Sequence, residues 1–304
     1  MECKTIVNYN ITSKFRMMAI MINYNGYKDT LEAVSSLQQS SIKCDILIVD
    51  NNSDNHEGKR LKESLQNIVV LCSKKNLGFS GANNLGISFA LKNNYDYILL
   101  INNDTTVADN MIEELLKESE YNVVVSPAMY YYSSPNKLWF CGGKLSKITG
   151  RVCHYHKEMK EPFYCSFLTG CCWLVHNSIF RKVGNLSEEY FMYCEDTDFC
   201  IRLAIHNIRM KVVPKAKLWH KCGMSSTTGF SEYYMARNNF INLRKYKEFY
   251  SWCAVYIAVF YYILKICRFI LYRHSEWRAI VWALLDAYHG RIGKTDRDFT
   301  AIDS

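Results

Sequence analysis

Four times in the first 104 residues an apolar run of strand length ends on polar side chains. Met17–Asn23 runs into Asn25, Ile46–Asp50 ends on a carboxylate, Ile68–Cys72 precedes Asn76, and Tyr97–Ile101 stops on Asn102-Asn103-Asp104. Between these runs apolar residues recur at helical spacing: Leu31, Val34 and Leu37 in one segment, Ala82, Leu85 and Phe89 within Ser80–Leu91 in another. Continuous apolar strands separated by helices specify βαβ units and a parallel sheet covered on both faces. Parallel strands point the same way, so Asn23, Asn25, Asp50, Asn76 and Asp104 are expected on one edge, where open α/β sheets bind ligands. One polar residue after a strand is ordinary turn chemistry; four such ends together outline a nucleotide-sized site. The carboxylate of Asp104 is a hard oxygen ligand suited to Mg²⁺ or Mn²⁺ holding a diphosphate.

The pattern continues less regularly. Asp29 and Glu32 have the spacing of a capping box. Asp109–Glu118 reads as a helix turning Met111, Ile112, Leu115 and Leu116 inward, and Val123–Ser126 as a fifth strand. From Leu138 to Tyr155, Gly142-Gly143 and Gly150 punctuate short strand-like pieces as in a hairpin, and Phe167–His176 is a further apolar strand. Glu195, Asp196 and Asp198 then open a helix. The helix dipole favours acids at this end, which accounts for one of them better than for all three.

Of the 304 residues 49% are hydrophobic, ample for a buried core and against disorder. A formal charge of +8 would suit nucleic acid, an anionic membrane or a phosphorylated substrate. The positive charge gathers around apolar C-terminal segments without a nucleic-acid-binding module, so nucleic acid is set aside. The 13 cysteines include adjacent Cys171-Cys172 and no Cys-x-x-Cys pair, which argues against a zinc site of that type. Residues 1–16 contain no apolar signal-peptide core. The cysteines are therefore expected reduced, mostly as small buried side chains of a cytoplasmic protein.

Trp252–Leu264 is an unbroken run of 13 apolar residues, shorter than the ~20 of a spanning helix. It reaches that length only by taking in Lys265 and Arg268. Trp277–Tyr288 places Trp277, Ile280, Val281, Leu284, Leu285 and Tyr288 on one face, with Arg273, Arg278, Arg291 and Lys294 nearby. Helices of this kind are expected to lie in the plane of a membrane, here the cytoplasmic face of the inner membrane. The alternatives are packing on the core or a homodimer interface.

Seven stretches then fall into a familiar order: Ile22-Asn-Tyr-Asn-Gly26, Ile48-Val-Asp-Asn-Asn-Ser53, Asn76-Leu-Gly-Phe-Ser-Gly-Ala-Asn-Asn-Leu-Gly86, Leu99-Leu-Ile-Asn-Asn-Asp104, Thr169-Gly-Cys-Cys-Trp173, Glu195-Asp-Thr-Asp-Phe-Cys-Ile-Arg202 and Val213-Pro-Lys-Ala-Lys-Leu-Trp-His220. On these the chain resembles the family 2 glycosyltransferases of the GT-A fold, in the rhamnosyltransferase-like branch that builds bacterial surface polysaccharides. The resemblance implies an α/β, Rossmann-like, mostly parallel sheet over residues 17–245. A nucleotide-binding half (17–126) and an acceptor and catalytic half (127–245) would follow a tail (1–16) and precede a helical membrane-associating extension (246–304). It implies that Asn23, Asn25, Asp50, Asn52, Asn76, Gly78, Asn83 and Asn103 surround the nucleotide and donor sugar. Asp104 would hold the metal, with His220 as a further metal or diphosphate contact, and Asp196 would be the general base, with Glu195 as the runner-up. One departure stands out: asparagines at 102 and 103 occupy the first two places of the metal motif, so the site carries less negative charge.

The implied reaction is inverting transfer of a sugar, rhamnose among the candidates, from a dTDP, UDP or GDP donor to a glycan or polyprenyl-diphosphate-linked acceptor. A sugar-1-phosphate nucleotidyltransferase would need a Gly-rich basic loop near the N-terminus, and Ile22–Tyr27 has one Gly and no Arg. A catalytically inactive scaffold in a membrane polysaccharide-assembly complex draws on the two asparagines, but leaves Asp104, Glu195 and Asp196 without a purpose.

Overall fold

In the computed structural model, which describes residues 15–222 and 228–303, the four apolar runs form β1 (Met17–Asn23), β2 (Asp45–Asp50), β3 (Val69–Cys72) and β4 (Tyr97–Ile101). Nearly all of the tail expected at 1–16 lies outside the described residues. The four strands pair in parallel in the order β3-β2-β1-β4, with Ile20 opposite both Leu47 and Leu100. Crossovers are made by α1 (Tyr27–Gln39), α2 (Glu57–Ser64) and α3 (Gly78–Lys92). Helix α3 stays regular through two glycines, each costing ~1 kcal/mol of helix propensity. Gly86 has a packing reason: a Cβ there would stand 2.4 Å from the buried side chain of Ile20, so its absence sets how closely α3 lies on β1.

Beyond β4 come β5 (Thr105–Val107), α4 (Met111–Lys117), β6 (Val123–Tyr131), β7 (Ser134–Phe140), β8 (Gly143–Leu145), β9 (Val152–His154), β10 (Phe163–Cys165), β11 (Cys172–His176), α5 (Asn177–Val183), α6 (Glu195–Ile205) and β12 (Arg209–His220). Here the parallel expectation needs correction. Strand β11 runs antiparallel between β4 and β6; β10 and β5 are antiparallel to β12, and β7 to β6, while β6 and β12 pair in parallel. The ten-stranded sheet is mixed. From Val123 to His176 no helix intervenes, and without a helical crossover successive strands are joined most simply as antiparallel neighbours. The expected hairpin is β8-β9, a separate two-stranded sheet. The expected strand at 167–176 is ordered as such only from Cys172.

The capping box is a second correction. Helix α1 starts at Tyr27, and no side chain caps it. Asp29 and Glu32 instead bind Lys221 from one turn of the helix, at 2.5 and 2.6 Å. The 12 cysteines among the described residues are all free, as expected, but only Cys141, Cys171, Cys172 and Cys200 are fully buried.

The C-terminal helices are α7 (Thr228–Lys245), α8 (Ala254–Leu271) and α9 (Trp277–Tyr288). A second apolar core joins Tyr233, Tyr234 and Ala236 of α7 to Tyr262, Ala279, Ile280, Ala283, Phe299 and Ile302, and includes Phe191 from the segment before α6. Helices α7 and α8 also reach the main core, through Leu243, Ala254 and Ala258. Helix α8 buries only Ala254, Ala258 and Tyr262, and the Lys265 ammonium is held by both oxygens of Glu232 on α7. Its opposite side leaves Tyr256, Phe260, Ile263, Leu264, Ile270 and Leu271 exposed.

The fit of α3 on β1 can be tested alone. Gly86→Val should destabilise the protein by about 2 kcal/mol, since overpacking a dense core costs roughly 1–3 kcal/mol. Urea unfolding should show a lower midpoint with an unchanged slope.

Candidate active site

The edge formed by the ends of β1 to β4 is a web of side-chain amides. Asn23 is wholly buried, and its Nδ2 reaches Asp50 Oδ1 at 2.8 Å, Ser53 Oγ at 3.0 Å and Glu57 Oε2 at 3.0 Å. Its Oδ1 accepts from Thr30, whose oxygen in turn accepts from Asn103 at 2.9 Å. Asn23, Asp50 and Asn103 are therefore one connected network, with Asn23 as its centre and Asp50 almost covered. Asn25 and Asn52 lie at the rim with left-handed backbones (φ 54° and 64°), and Asn25 exchanges two hydrogen bonds with Asp54.

Asn76 accepts from Gly78 N–H and from Asn51, a residue the sequence reading passed over. Asn51 is buried and also bonds Leu77 N–H and Gly78 C=O, fixing the turn that starts α3. Gly78 has φ +72°, and a Cβ on it would meet Phe191 C=O at 2.2 Å. The turn that starts α3 is thereby pressed against the segment that leads to the acids. Asn83 lies further along the helix, buried, with its amide donating to Phe79 C=O.

Asp104 and His220 are brought together by register. Strand β12 pairs His220 with Thr105, and Lys221 N–H donates to Asp104 C=O at 2.9 Å. His220 Nε2 then stands 3.1 Å from Asp104 Oδ1. That oxygen is buried and, apart from the His220 ring nitrogen, meets no donor among the described residues, which favours a cation here. Among the described residues no third His, Cys, Asp or Glu completes a metal cluster. An oxygen and, once its proton is displaced, an imidazole nitrogen would still fit a hard cation whose remaining ligands were phosphates and water. Burial disfavours the His220 imidazolium, but bonding and charge from Asp104 and Cys222 outweigh it and raise the group to about 9. Cys222 Sγ lies 3.0 Å from His220 Nδ1. Lys221, held by Asp29 and Glu32, ties this corner to α1.

The three acids of α6 have separate fates. Asp198 is fully buried and structural, accepting from Arg202 at 2.7 Å, Tyr246 at 2.7 Å and Tyr190 at 3.2 Å. Glu195 is buried with Oε2 unpartnered. Asp196 is half-buried and takes N–H bonds from Thr197 and Gly170. Burial raises both carboxyls, and for Glu195 the charge of Asp196 adds to it; in Asp196 the two N–H bonds oppose the rise. Burial therefore works against charge on both carboxyls, and only in Asp196 do N–H donors from two other residues offset it. The same short segment links Asp196 to the end of β4: Gly170 N–H meets Asp196, and Cys171 C=O accepts Asn102 N–H at 2.9 Å.

Before Glu195 the backbone is strained. Phe191, Tyr193 and Cys194 all have φ between 64° and 69°, each costing about 1–3 kcal/mol for a non-glycine residue. No sequence pattern announced this.

Comparison with known proteins shows the family and the fold. The dTDP-rhamnosyl transferase RfbF of Shigella flexneri is 24% identical over 240 residues, covering 75% of this chain and 79% of that protein. The rhamnosyltransferase WbbL of Escherichia coli is 23% identical over 233 residues, covering 71% and 88%. The fold is shared with the mannosyltransferase PcManGT of Pyrobaculum calidifontis, solved with GDP-Man and Mn²⁺, at a TM-score of 0.56 and 12% identity over 93% of this chain and 77% of that one. The family model for glycosyl transferase family 2 matches residues 18–184, more than half of the chain. This protein is a glycosyltransferase and belongs to that family.

Proposed function

We propose that the protein transfers a deoxyhexose, rhamnose from dTDP-rhamnose, to a hydroxyl of a lipid-linked glycan with inversion at the anomeric carbon. The observation that carries the reading is the short bridge through residues 170–171, which sets a raised-pKa carboxylate beside the Asp104–His220 corner. The amide network of Asn23, Asp50, Asn76 and Asn103 would shape the nucleotide end, with Asn25 and Asn52 at its rim and Gly78 and Asn83 on the sugar side. Asp104 and His220 would hold Mg²⁺ or Mn²⁺, which when bound supplies positive charge to the departing diphosphate. Asp196 takes the proton of the acceptor hydroxyl as it attacks, a contribution of ~10²–10⁴-fold in rate. Glu195 keeps its proton at neutral pH and stays uncharged beside the working base. Donor identity rests on the likeness to rhamnosyltransferases; a thermal-shift panel of dTDP, UDP and GDP sugars in which dTDP-rhamnose gives no shift and another does would replace it.

Asp196→Asn should lower kcat at least ~100-fold while nucleotide binding by calorimetry stays within about twofold. The wild-type acid limb should lie above the ordinary carboxylate value of ~4. Wild-type turnover in the Asn variant would remove Asp196 as the base. Chelation with EDTA should abolish transfer, and Mn²⁺ or Mg²⁺ should restore it.

Glu195 gives a stability prediction of definite sign. A carboxyl whose folded pKa is raised binds more protons in the folded state, so it costs stability progressively as pH climbs from its unfolded toward its folded value. Glu195→Gln should raise the melting temperature at pH 8 and leave it nearly unchanged at pH 4. An equal shift at both values would show that Glu195 is not held protonated.

The acceptor reading includes the membrane. The free side of α8 is apolar and aromatic over Tyr256 to Leu271, with Arg268, Arg273 and Arg278 exposed at its end. Helix α8 is long and apolar enough to cross a bilayer by length and composition. Crossing would strip it from α7 and break the Lys265–Glu232 pair, whereas lying in the plane keeps both. In flotation assays the protein should rise with anionic vesicles, and Phe260→Glu with Leu264→Glu should leave it at the bottom.

A further inference from the structure

The segment that delivers the acids is held from the C-terminal helices. Asn238 on α7 is fully buried, and its Nδ2 lies 2.9 Å from Tyr190 C=O, 2.8 Å from Met192 C=O and 2.9 Å from Tyr193 C=O. Two amide hydrogens serve three carbonyls, so the turn is wrapped around one side chain. Arg237, 1% exposed, adds Nη2 to Tyr190 C=O at 3.2 Å, and its Nε donates to Asn238 Oδ1 at 3.0 Å. No carboxylate among the described residues pairs with this guanidinium; it also meets the Tyr233 hydroxyl and the faces of Tyr233 and Tyr234. These are the carbonyls exposed by the left-handed run at Phe191, Tyr193 and Cys194, and Glu195 follows immediately.

The hold continues outward. The Tyr233 hydroxyl accepts from Arg237 and donates to Asp286 on α9 at 2.7 Å. Asp286 is gripped by Arg297 through Nε at 2.7 Å and Nη2 at 2.8 Å. Gly293 N–H also reaches Glu189 C=O at 2.6 Å. We propose that Arg237 and Asn238 are positioning residues for the Glu195–Asp196 pair, and that the Asp286 cluster makes the C-terminal helices part of the catalytic apparatus. The alternative is that α7 to α9 serve only attachment and bulk stability. The proposal rests on the sugar-transfer reading.

Asn238→Asp keeps the size of the side chain and the acceptor for Arg237, but turns oxygens toward the three carbonyls. It should lower kcat about 100-fold, as expected for a reacting group displaced by about 1 Å, with KM for the nucleotide sugar within about threefold. The acid limb of the kcat profile should move, since the surroundings of both carboxyls change. Tyr233→Phe, a milder change that only cuts the link from Arg237 to Asp286, should lower kcat about tenfold with the same split. Hydrogen exchange, which needs no turnover, should speed up at residues 190–196 in both variants and stay unchanged in β1 to β4. Wild-type kcat and pH profile in folded Asn238→Asp would overturn the proposal, as would loss of nucleotide binding in step with kcat. If that variant does not fold, wild-type kcat in Tyr233→Phe overturns it. If the wild-type protein transfers no sugar, the functional reading fails, and unchanged exchange at 190–196 separately overturns the clamp.

Discussion

The antiparallel pairing of β11 with β4 places Cys172 opposite Ile101, and from that register the two halves of the site follow. Strand β4 ends one residue before Asn102, so the chain entering β11 has to pass beside Asn102 and Asp104. Its Cys171 C=O and Gly170 N–H have different partners, one Asn102 N–H and the other Asp196. Gly170 also lies beside Phe79, where an added Cβ would make ordinary van der Waals contact. A wholly parallel sheet would bring a helix crossover here instead of this short segment. The reversal of strand direction is thus the physical reason that the ends of β1 to β4 and the acids of α6 are joined at one edge.

What could be read from the sequence was what local rules determine. The four strand ends were legible because strands buried on both faces are continuous apolar runs, and a polar residue after them is conspicuous. The break at β11 was not, because a five-residue apolar strand carries no mark of direction. Asp29 and Glu32 looked like a cap since their true partner, Lys221, lies some 190 residues away. Asn51 and Asn52 stand side by side in sequence, yet one is buried across a turn and the other points to solvent. Only the fold tells them apart. Asn238 was silent for the same reason: an asparagine in a polar-aromatic helix has no local signature.

Strain and charge are concentrated where chemistry is expected. Within Phe191 to Asp196 lie three left-handed non-glycine residues and two carboxyls raised by burial. Each is unfavourable in isolation. The adjoining stretch is heavily compensated: Asp198 takes three hydrogen bonds and a further cation, Lys245, at 3.0 Å. A sequence selected for stability alone would place glycine at the left-handed positions and an apolar residue at Glu195. Keeping the costly residues while buttressing them from α6 and α7 is the pattern of a site whose geometry matters more than its local stability. By contrast, the apolar side of α8 from Tyr256 to Leu271 is left exposed, with no comparable buttress among the described residues.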